Sequence, residues 1–367
     1  MNRILVIRGG AIGDFVLTLP AIKLLRDRFP KARLEILGYK HIAALAEKRF
    51  YADAVRSIES ASLAKFFARN AELPAELAGY FGSVDLILSY LYDPDKIFET
   101  NVRKCGEGTF VAGPSKLDNS EHAALQLARP LATLDLSLTE PAARLFPSEA
   151  DRAAVMNLVR GEFAVLHPGS GSETKNWPIE KWEKLGEVLL SKGSRLVIIA
   201  GEADMERAQK LKAAWKGKPV QFAENLPLPQ LAALLEGSFF IGHDSGISHI
   251  AAAAGARCLL LFGWTDPAIW APANENVIVL RAPEGKLRLL DVETVAAALW
   301  AARGGCDNCE SFFPRSHSEA ATEESASRLR ADAHRHQDVE KRRLDLQHAR
   351  AHLVDEIEEN FVLGQRA

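Results

Sequence analysis

Cysteine is scarce in this sequence of 367 residues, and its four cysteines are too few and too scattered for a disulfide scaffold. Long hydrophobic runs are also missing, because the longest apolar stretch, residues 247–264, is interrupted by Ser248, His249 and Arg257. This pattern argues against a membrane-spanning helix. The chain opens into a strand-like segment, residues 3–8, without a signal-peptide pattern. We therefore expect a protein of a reducing compartment, the cytoplasm.

A strong charge of one sign is lacking as well, since 45 Lys and Arg stand against 48 Asp and Glu, a formal net charge of -3. Nothing in this balance indicates nucleic-acid binding. Residues 1–60 differ, with eleven basic against six acidic side chains. This basic half suits an anionic acceptor or a membrane surface, and solvated helix faces explain it equally well. Peripheral contact with the inner membrane face therefore stays open.

The order of hydrophobic segments predicts an α/β fold with two Rossmann-like domains, over residues 1–140 and 151–303. The chain is too long for one ordinary core, and short β-branched runs alternate with helical patterns. Residues 137–150, with two prolines and no strong periodicity, are the predicted linker. Strands are expected near residues 4–8, 34–37, 84–89, 110–112, 163–167, 195–200, 239–241, 258–262 and 277–280.

The sequence changes character over residues 304–367. Residues 319–359 are highly charged and contain neither Pro nor Gly, which predicts a helical extension. Val339, Leu346 and Leu353 recur every seven residues, but the intervening heptad positions are the polar His336, Arg343 and Arg350. An amphipathic helix therefore fits better than a coiled coil. We assign no chemistry to this extension.

The first strand is followed by a glycine-rich turn, residues 9–14, that matches neither common nucleotide-binding signature. A dinucleotide fingerprint would need glycine where Arg8 stands, and no Gly-Lys-Ser/Thr closes the turn. Asp14 enters the helix at the carboxyl end of a strand, where α/β proteins place their sites. A helix cap is the competing interpretation. Both roles coexist if one carboxylate oxygen remains free.

Two segments of the second half have the composition of phosphate-binding loops. Residues 167–178 combine small residues, whose amides can approach phosphate, with Lys175 as a point charge. In residues 242–253 an Ala-rich helix is predicted to begin at Ser and Gly. The free amides at such a helix start typically bind anions. The structural alternatives are a surface loop before a helix start, and a capping Asp244 with a buried His249.

Four segments resemble glycosyltransferase family nine, the heptosyltransferases. They are residues 12–14 with Pro20, Leu24 and Pro30 downstream, the loop 167–178, the Asp-Ser-Gly-x-x-His pattern of 244–249, and the Gly-x-Thr-Asp-Pro pattern of 263–267. The resemblance extends from residue 4 to about residue 280 and leaves the part beyond 304 uncovered.

The resemblance implies two domains facing a cleft (GT-B type), with acceptor bound by the first and nucleotide-sugar donor by the second. It implies inverting, metal-independent transfer of heptose from ADP-heptose, the donor substrate, to a lipopolysaccharide inner-core acceptor, lipid-linked or an oligosaccharide. No cofactor is expected. Asp14 becomes the general base, and Asp204 is an alternative to Glu202 against the nucleoside. The implied donor-binding residues are Ser170, Lys175, Glu202, Asp244, Ser245, Gly246 and His249.

Two apparent metal motifs are assigned other roles. Asp93 and Asp95 flank Pro94 and are interpreted as turn residues, and Cys306 and Cys309 as reduced thiols, since no second ligand pair follows. Three other functions remain: transfer from another nucleotide sugar, a nicotinamide-dependent oxidoreductase, or a non-catalytic nucleotide-sugar-binding protein. The absence of the dinucleotide fingerprint counts against the oxidoreductase.

Overall fold

The described part of the chain contains two parallel β-sheets surrounded by helices. A computed structural model describes residues 1–158 and 161–302, which lie in one compact unit. The predicted extension over residues 304–367, with Cys306 and Cys309, lies outside the described residues. None of the helices that the structure describes is long and apolar enough to cross a membrane.

The first sheet has the strand order β3-β2-β1-β4-β5, with every pairing parallel. All four strands predicted in this half are confirmed. The strand β3, which the sequence did not predict, is short, half exposed and at the sheet edge, so its hydrophobic signal is weak. The strands are β1 (Arg3–Arg8), β2 (Arg33–Gly38), β3 (Ala54–Ser57), β4 (Leu86–Ser89) and β5 (Thr109–Ala112).

The second sheet has the order β11-β10-β9-β6-β7-β8 and is also entirely parallel. Its five predicted strands are confirmed, and the additional strand β8 again lies at an edge. In both sheets the strand order reverses beside the first strand of the domain, as in Rossmann folds. The strands are β6 (Ala164–Leu166), β7 (Leu196–Ala200), β8 (Val220–Glu224), β9 (Phe239–His243), β10 (Arg257–Phe262) and β11 (Val277–Arg281).

Helices cover both sheets, which explains why central strands such as β7 are buried along their whole length. The α-helices among the described residues are α1 (Ile12–Arg28), α2 (Lys40–Ala43), α3 (Ala75–Gly82), α4 (Ile97–Arg103), α5 (Ala123–Ala128), α6 (Glu149–Val155), α7 (Ile179–Ser191), α8 (Met205–Ala214), α9 (Leu228–Leu235), α10 (Gly246–Ala253), α11 (Pro267–Trp270) and α12 (Val292–Ala302).

The two domains meet through helices α1 and α10, and a single hydrophobic cluster continues from one domain into the other. Helix α1 is apolar on most of its surface, with Phe15, Val16, Leu17 and Leu19 all buried. A helix that packs against its own sheet on one side and a second domain on the other needs such a surface.

Candidate active site between the two sheets

The point where strand order reverses lies between β1 and β4 in the first sheet and between β6 and β9 in the second. Crevices at the carboxyl ends of strands form at such points. Asp14 follows β1, while the loop containing Lys175 follows β6 and Ser245 follows β9. The topology therefore brings the principal predicted site residues to the carboxyl ends of central strands in both sheets, next to the contact between the domains.

Asp14 is both a helix-turn residue and a cleft residue. It is the third residue of α1, and its Oδ2 accepts a hydrogen bond from the Ala11 amide at 3.0 Å. Its Oδ1 lies 3.6 Å from an Arg8 guanidinium nitrogen, and the side chain is 38% exposed. The second oxygen is therefore not used by the turn, which is the condition for the capping and functional roles to coexist.

Arg8 is a site residue that was not predicted, since the sequence showed it only as the residue in place of a fingerprint glycine. Its side chain is 8% exposed, and its guanidinium donates to the Asp14 carbonyl and lies 5.4 Å from the centre of the Tyr90 ring. Burial lowers the pKa of Arg8, and the nearby Asp14 charge opposes that shift. A basic residue ending a strand, six positions before an acid that enters a helix, was the available sequence signal.

Asp14 and Arg8 line a cleft of about 360 Å³ between the domains. Most of its wall comes from the first domain, and one aromatic side chain comes from the second. Tyr92 is 65% exposed at its edge. The other lining residues are Gly9, Gly10, Tyr90, Leu91, Pro114, Ser115, Leu117 and Trp270.

Lys175 and Asp244 form the charged centre on the donor side. The Lys175 ammonium donates to Asp244 Oδ2 at 2.6 Å and lies 5.6 Å from the centre of the exposed Trp264 ring. The two side chains are 28% and 10% exposed. The structure thus joins the loop after β6, the turn after β9 and the loop after β10.

Ser245 caps helix α10, where its hydroxyl accepts from the Ser248 amide at 3.4 Å. Gly246 follows at a point with no room for a side chain. A Cβ there would lie 2.7 Å from the Ile12 Cβ and 2.9 Å from the Gly13 nitrogen. The amino-terminal ends of α1 and α10 therefore approach each other directly across the domain contact.

His249 is buried on α10 beside this contact, as the structural alternative anticipated. Burial lowers its pKa to about 4, despite the charges of Asp244 and Asp14, which raise it. A neutral ring is therefore expected at pH 7. A Cβ on Gly13 would lie 3.4 Å from its Cδ2, which places the imidazole against the first turn of α1.

Three other predicted or alternative residues differ in their surroundings. The Ser170 hydroxyl donates to the Ser172 carbonyl within its own loop at 2.9 Å. Glu202 is exposed in a short 3₁₀ turn, Glu202–Asp204, that follows β7. The alternative residue Asp204 is buried, and its carboxylate lies 3.0 Å from His167 Nε2.

An apolar cavity of about 120 Å³ lies at the carboxyl ends of β7 and β8. Helix α1 of the first domain contributes Ile12 to its wall. The other lining residues are His167, Ile199, Ala200, Gly201, Ala223, Asn225, Leu226, Leu228, Leu231 and Ile247. Its size and lining suit a flat apolar or aromatic group.

The apparent metal motif after β4 makes ordinary turn and surface contacts. Asp93 accepts hydrogen bonds from the amides of Phe98 and Glu99 at the start of α4. Asp95 pairs with the exposed Arg69 at 3.1 Å. Across residues 1–158 and 161–302 there is no group of three His, Cys, Asp or Glu side chains arranged to hold a metal ion.

Comparison with known proteins gives the family. Residues 121–297 match the model of glycosyltransferase family 9 (heptosyltransferase). Lipopolysaccharide heptosyltransferase 3 of Escherichia coli K12 is 25% identical over 293 residues, 72% of this chain and 84% of that protein. These matches support assignment of the chain to glycosyltransferase family 9. It is accordingly a glycosyltransferase, as the motifs predicted.

Solved structures agree with this assignment at the level of the fold. A glycosyltransferase family 9 protein from Veillonella parvula is similar with a TM-score of 0.69 and 19% identity, covering 82% of this chain and 97% of that one. The E. coli heptosyltransferase WaaC with ADP has a TM-score of 0.63 and 20% identity, covering 82% and 99%. The predicted GT-B arrangement of two Rossmann-like domains is confirmed.

Proposed function

We propose that this family 9 glycosyltransferase transfers a heptose from ADP-heptose to a lipopolysaccharide inner-core acceptor, without a metal ion and with inversion at the anomeric carbon. The observation that carries the proposal is the position of Asp14, which has one carboxylate oxygen outside its helix turn and faces an interdomain cleft. Similar proteins named as lipopolysaccharide heptosyltransferases support the substrate class.

In this mechanism the donor diphosphate binds at the amino terminus of α10 beside Lys175. The free amides of a helix start and a cationic side chain stabilise negative charge that develops on the leaving group. Lys175 is held by Asp244 and faces Trp264, so the ammonium is already positioned before a donor binds. The apolar cavity after β7 and β8 would receive the adenine ring.

The acceptor would occupy the cleft lined by Arg8 and Tyr92. Asp14 takes the proton from the acceptor hydroxyl as its oxygen attacks the anomeric carbon, and the diphosphate departs on the opposite side. The surplus of basic residues over positions 1–60 suits an acceptor that carries phosphate or carboxylate groups. A lipid-linked acceptor would bring the protein to the cytoplasmic face of the inner membrane.

The test replaces the base and the phosphate contact separately. Asp14→Asn keeps the shape of the side chain and removes the base, so transfer should fall by about 10²–10⁴-fold while ADP affinity changes less than about twofold. Lys175→Met should instead weaken ADP binding by about tenfold or more, since it removes a charged contact. Product formation is followed by mass spectrometry and ADP binding by calorimetry.

Lys184→Met is the matched control for the second variant, because Lys184 is exposed on α7. Full transfer by Asp14→Asn would remove Asp14 from the base role. If ADP-heptose supports no transfer, a thermal-shift screen of other nucleotide sugars identifies the donor, and binding without any transfer would favour a non-catalytic protein.

A further inference from the structure

A row of three side chains, the half-buried Ser245 and the buried His167 and Asp204, lies beside the proposed diphosphate site. They follow β9, β6 and β7, which are neighbours in the second sheet, so the topology itself places them side by side. His167 Nε2 is 3.0 Å from Asp204 Oδ2, and His167 Nδ1 is 3.5 Å from the Ser245 hydroxyl. The His167 and Asp204 side chains are 3% and 9% exposed.

The carboxylate fixes which ring nitrogen carries a proton. An ionised carboxylate only accepts, so His167 Nε2 must donate to Asp204. In the neutral ring Nδ1 is then an acceptor. The Ser245 hydroxyl has two acceptors within reach, this nitrogen at 3.5 Å and the Ser248 hydroxyl at 3.2 Å, which itself donates to the His243 carbonyl. When the ring is protonated, Nδ1 donates to Ser245 instead, and the hydroxyl hydrogen becomes free for another acceptor.

The charged side chains beside this row offer no unpaired cation to a diphosphate that binds there, as far as the described residues show. Lys175 already pairs with Asp244, and the Asp204 carboxylate has a buried Oδ1 with no hydrogen-bond partner in the part of the chain that the structure describes. Burial raises the pKa of Asp204, but hydrogen bonds, first of all the one from His167, outweigh burial and lower it. A protonated His167 would therefore serve both the buried carboxylate and an incoming diphosphate.

The other groups facing His167 do not supply that cation. His243 is neutral, because its Nε2 accepts from the Trp177 amide at 2.9 Å and burial lowers its pKa to about 3. Arg207 lies near Asp204, donates to the Pro168 carbonyl and pairs with Glu173 at 3.6 Å. From α1, the apolar Ile12 lines the cavity that His167 also lines.

We propose that His167 takes up a proton when the diphosphate of a nucleotide binds at the start of α10, and that this turns the Ser245 hydroxyl from the ring toward a phosphate oxygen. His167 is thus a positioning residue that acts through Ser245, with Asp204 holding the ring and stabilising its charge. The proposal depends on the proposed function, since it assumes that a nucleoside diphosphate binds there.

Calorimetry with ADP tests the coupling directly. Titrations at pH 8, where a histidine is ordinarily neutral and ADP is fully ionised, are run in HEPES, Tris and PIPES. The slope of the observed enthalpy against the ionisation enthalpy of the buffer counts the protons exchanged, and we expect uptake of close to one. The dissociation constant should accordingly rise about tenfold per pH unit between pH 7.5 and 8.5.

Single substitutions test whether His167 is the group that binds the proton taken up with ADP. His167→Gln should lose both the proton uptake and the pH dependence, and Asp204→Asn should reduce the uptake. Ser245→Ala should weaken ADP binding by about tenfold, the usual effect of losing one hydrogen bond to a charged group. His41→Gln, which changes an exposed histidine on α2, is the control and should behave as the wild type.

The outcomes separate this inference from the function on which it depends. Binding of ADP that requires Lys175 but exchanges no proton in the wild type would overturn the role of His167 and leave the proposed function intact, whether or not His167→Gln folds. Proton uptake that persists in His167→Gln would overturn it too. Absence of ADP binding in the wild type would overturn both.

Discussion

At the scale of single residues, Asp14 and Arg8 show how little a motif says about geometry. The sequence placed Asp14 at the start of a helix, and the structure shows that one of its oxygens belongs to the turn while the other does not. Arg8 acquires its importance only because burial holds its guanidinium beside that carboxylate. Whether Arg8 and Asp14 can pair depends on which carboxylate oxygen the turn uses, and the spacing of residues in the sequence does not predict this.

Glu35 is the buried charge whose effect on stability can be measured most directly. It lies on β2, where it accepts from Arg33 at 2.7 Å, from Arg56 at 2.9 Å and from the Tyr80 hydroxyl at 2.9 Å. Burial would raise the pKa of Glu35, but these hydrogen bonds and charges lower it to about 2. The folded state therefore favours the ionised carboxylate.

Glu35→Gln should lower the free energy of unfolding by about 3 kcal/mol at pH 7, because it leaves the surrounding cations without their buried partner. A lowered pKa stabilises the fold above the ordinary carboxyl value of 4.5 and loses that effect as the pH falls toward 2. The difference between variant and wild type should hence shrink over that range. Urea unfolding at several pH values measures it.

Glu187→Gln is the matched control for this prediction, because Glu187 makes an exposed pair with Lys218 at 3.1 Å. It should leave the free energy of unfolding nearly unchanged. A Glu35→Gln effect that is the same at pH 3 and pH 7 would show that packing, and not the charge, stabilises this position.

At the scale of elements, the central strands and long helices were predictable because each buries a continuous apolar face. The edge strands β3 and β8 were not, because few of their residues are buried and neither carries a continuous apolar run such as those of the edge strands β5 and β11. Residues 143–147 of the predicted linker alternate between buried and exposed, a pattern that only their position against both domains explains.

The contact between the first turns of α1 and α10 depends on Gly246. In Gly246→Ala the new methyl group would meet Ile12 and Gly13 at distances under 3 Å, so the helices must separate. We expect the free energy of unfolding to fall by about 1–3 kcal/mol, a usual result of overpacking. Transfer should slow as well, since Asp14 and Lys175 would move apart. Urea unfolding and steady-state kinetics measure the two effects.

Gly79→Ala serves as its control, because Gly79 lies inside α3 with open space around it. It should stabilise the protein by about 0.5–1 kcal/mol. Unchanged stability and transfer in Gly246→Ala would mean that the two helices do not need their close approach.

At the scale of the whole molecule, the linker is fixed to both domains. The Tyr51 hydroxyl donates to the Arg144 carbonyl at 2.6 Å, while the Leu145 amide donates to the Ala253 carbonyl at 2.8 Å. Arg49 pairs with Asp151 at 2.5 Å, and both side chains are nearly buried. Specific contacts of the linker with each domain therefore help to set the relative position of the two domains.

Arg49→Met should loosen the linker, because Asp151 loses its charged partner and keeps only its cap contacts with Ser148. Trypsin should then cleave after the exposed Arg144 about tenfold faster, which corresponds to roughly 1.4 kcal/mol less protection against local opening. Mass spectrometry of the fragments over time gives the rate.

Arg152→Met is the control on α6, since Arg152 makes an exposed pair with Glu236. Its cleavage rate should match that of the wild type. An unchanged rate in Arg49→Met would show that the hydrogen bonds of Tyr51 and Leu145 hold the linker without the ion pair.

The sequence by itself determined the two Rossmann-like sheets and the segments that carry the chemistry, because hydrophobic periodicity and glycine-rich turns are local properties. It also placed Asp14, Lys175 and Ser245 after strands. Only the tertiary structure decided that Lys175 pairs with Asp244 and that Asp204, His167 and Ser245 form a row. These pairings join residues from different strands, and strand order is fixed by packing across the whole sheet.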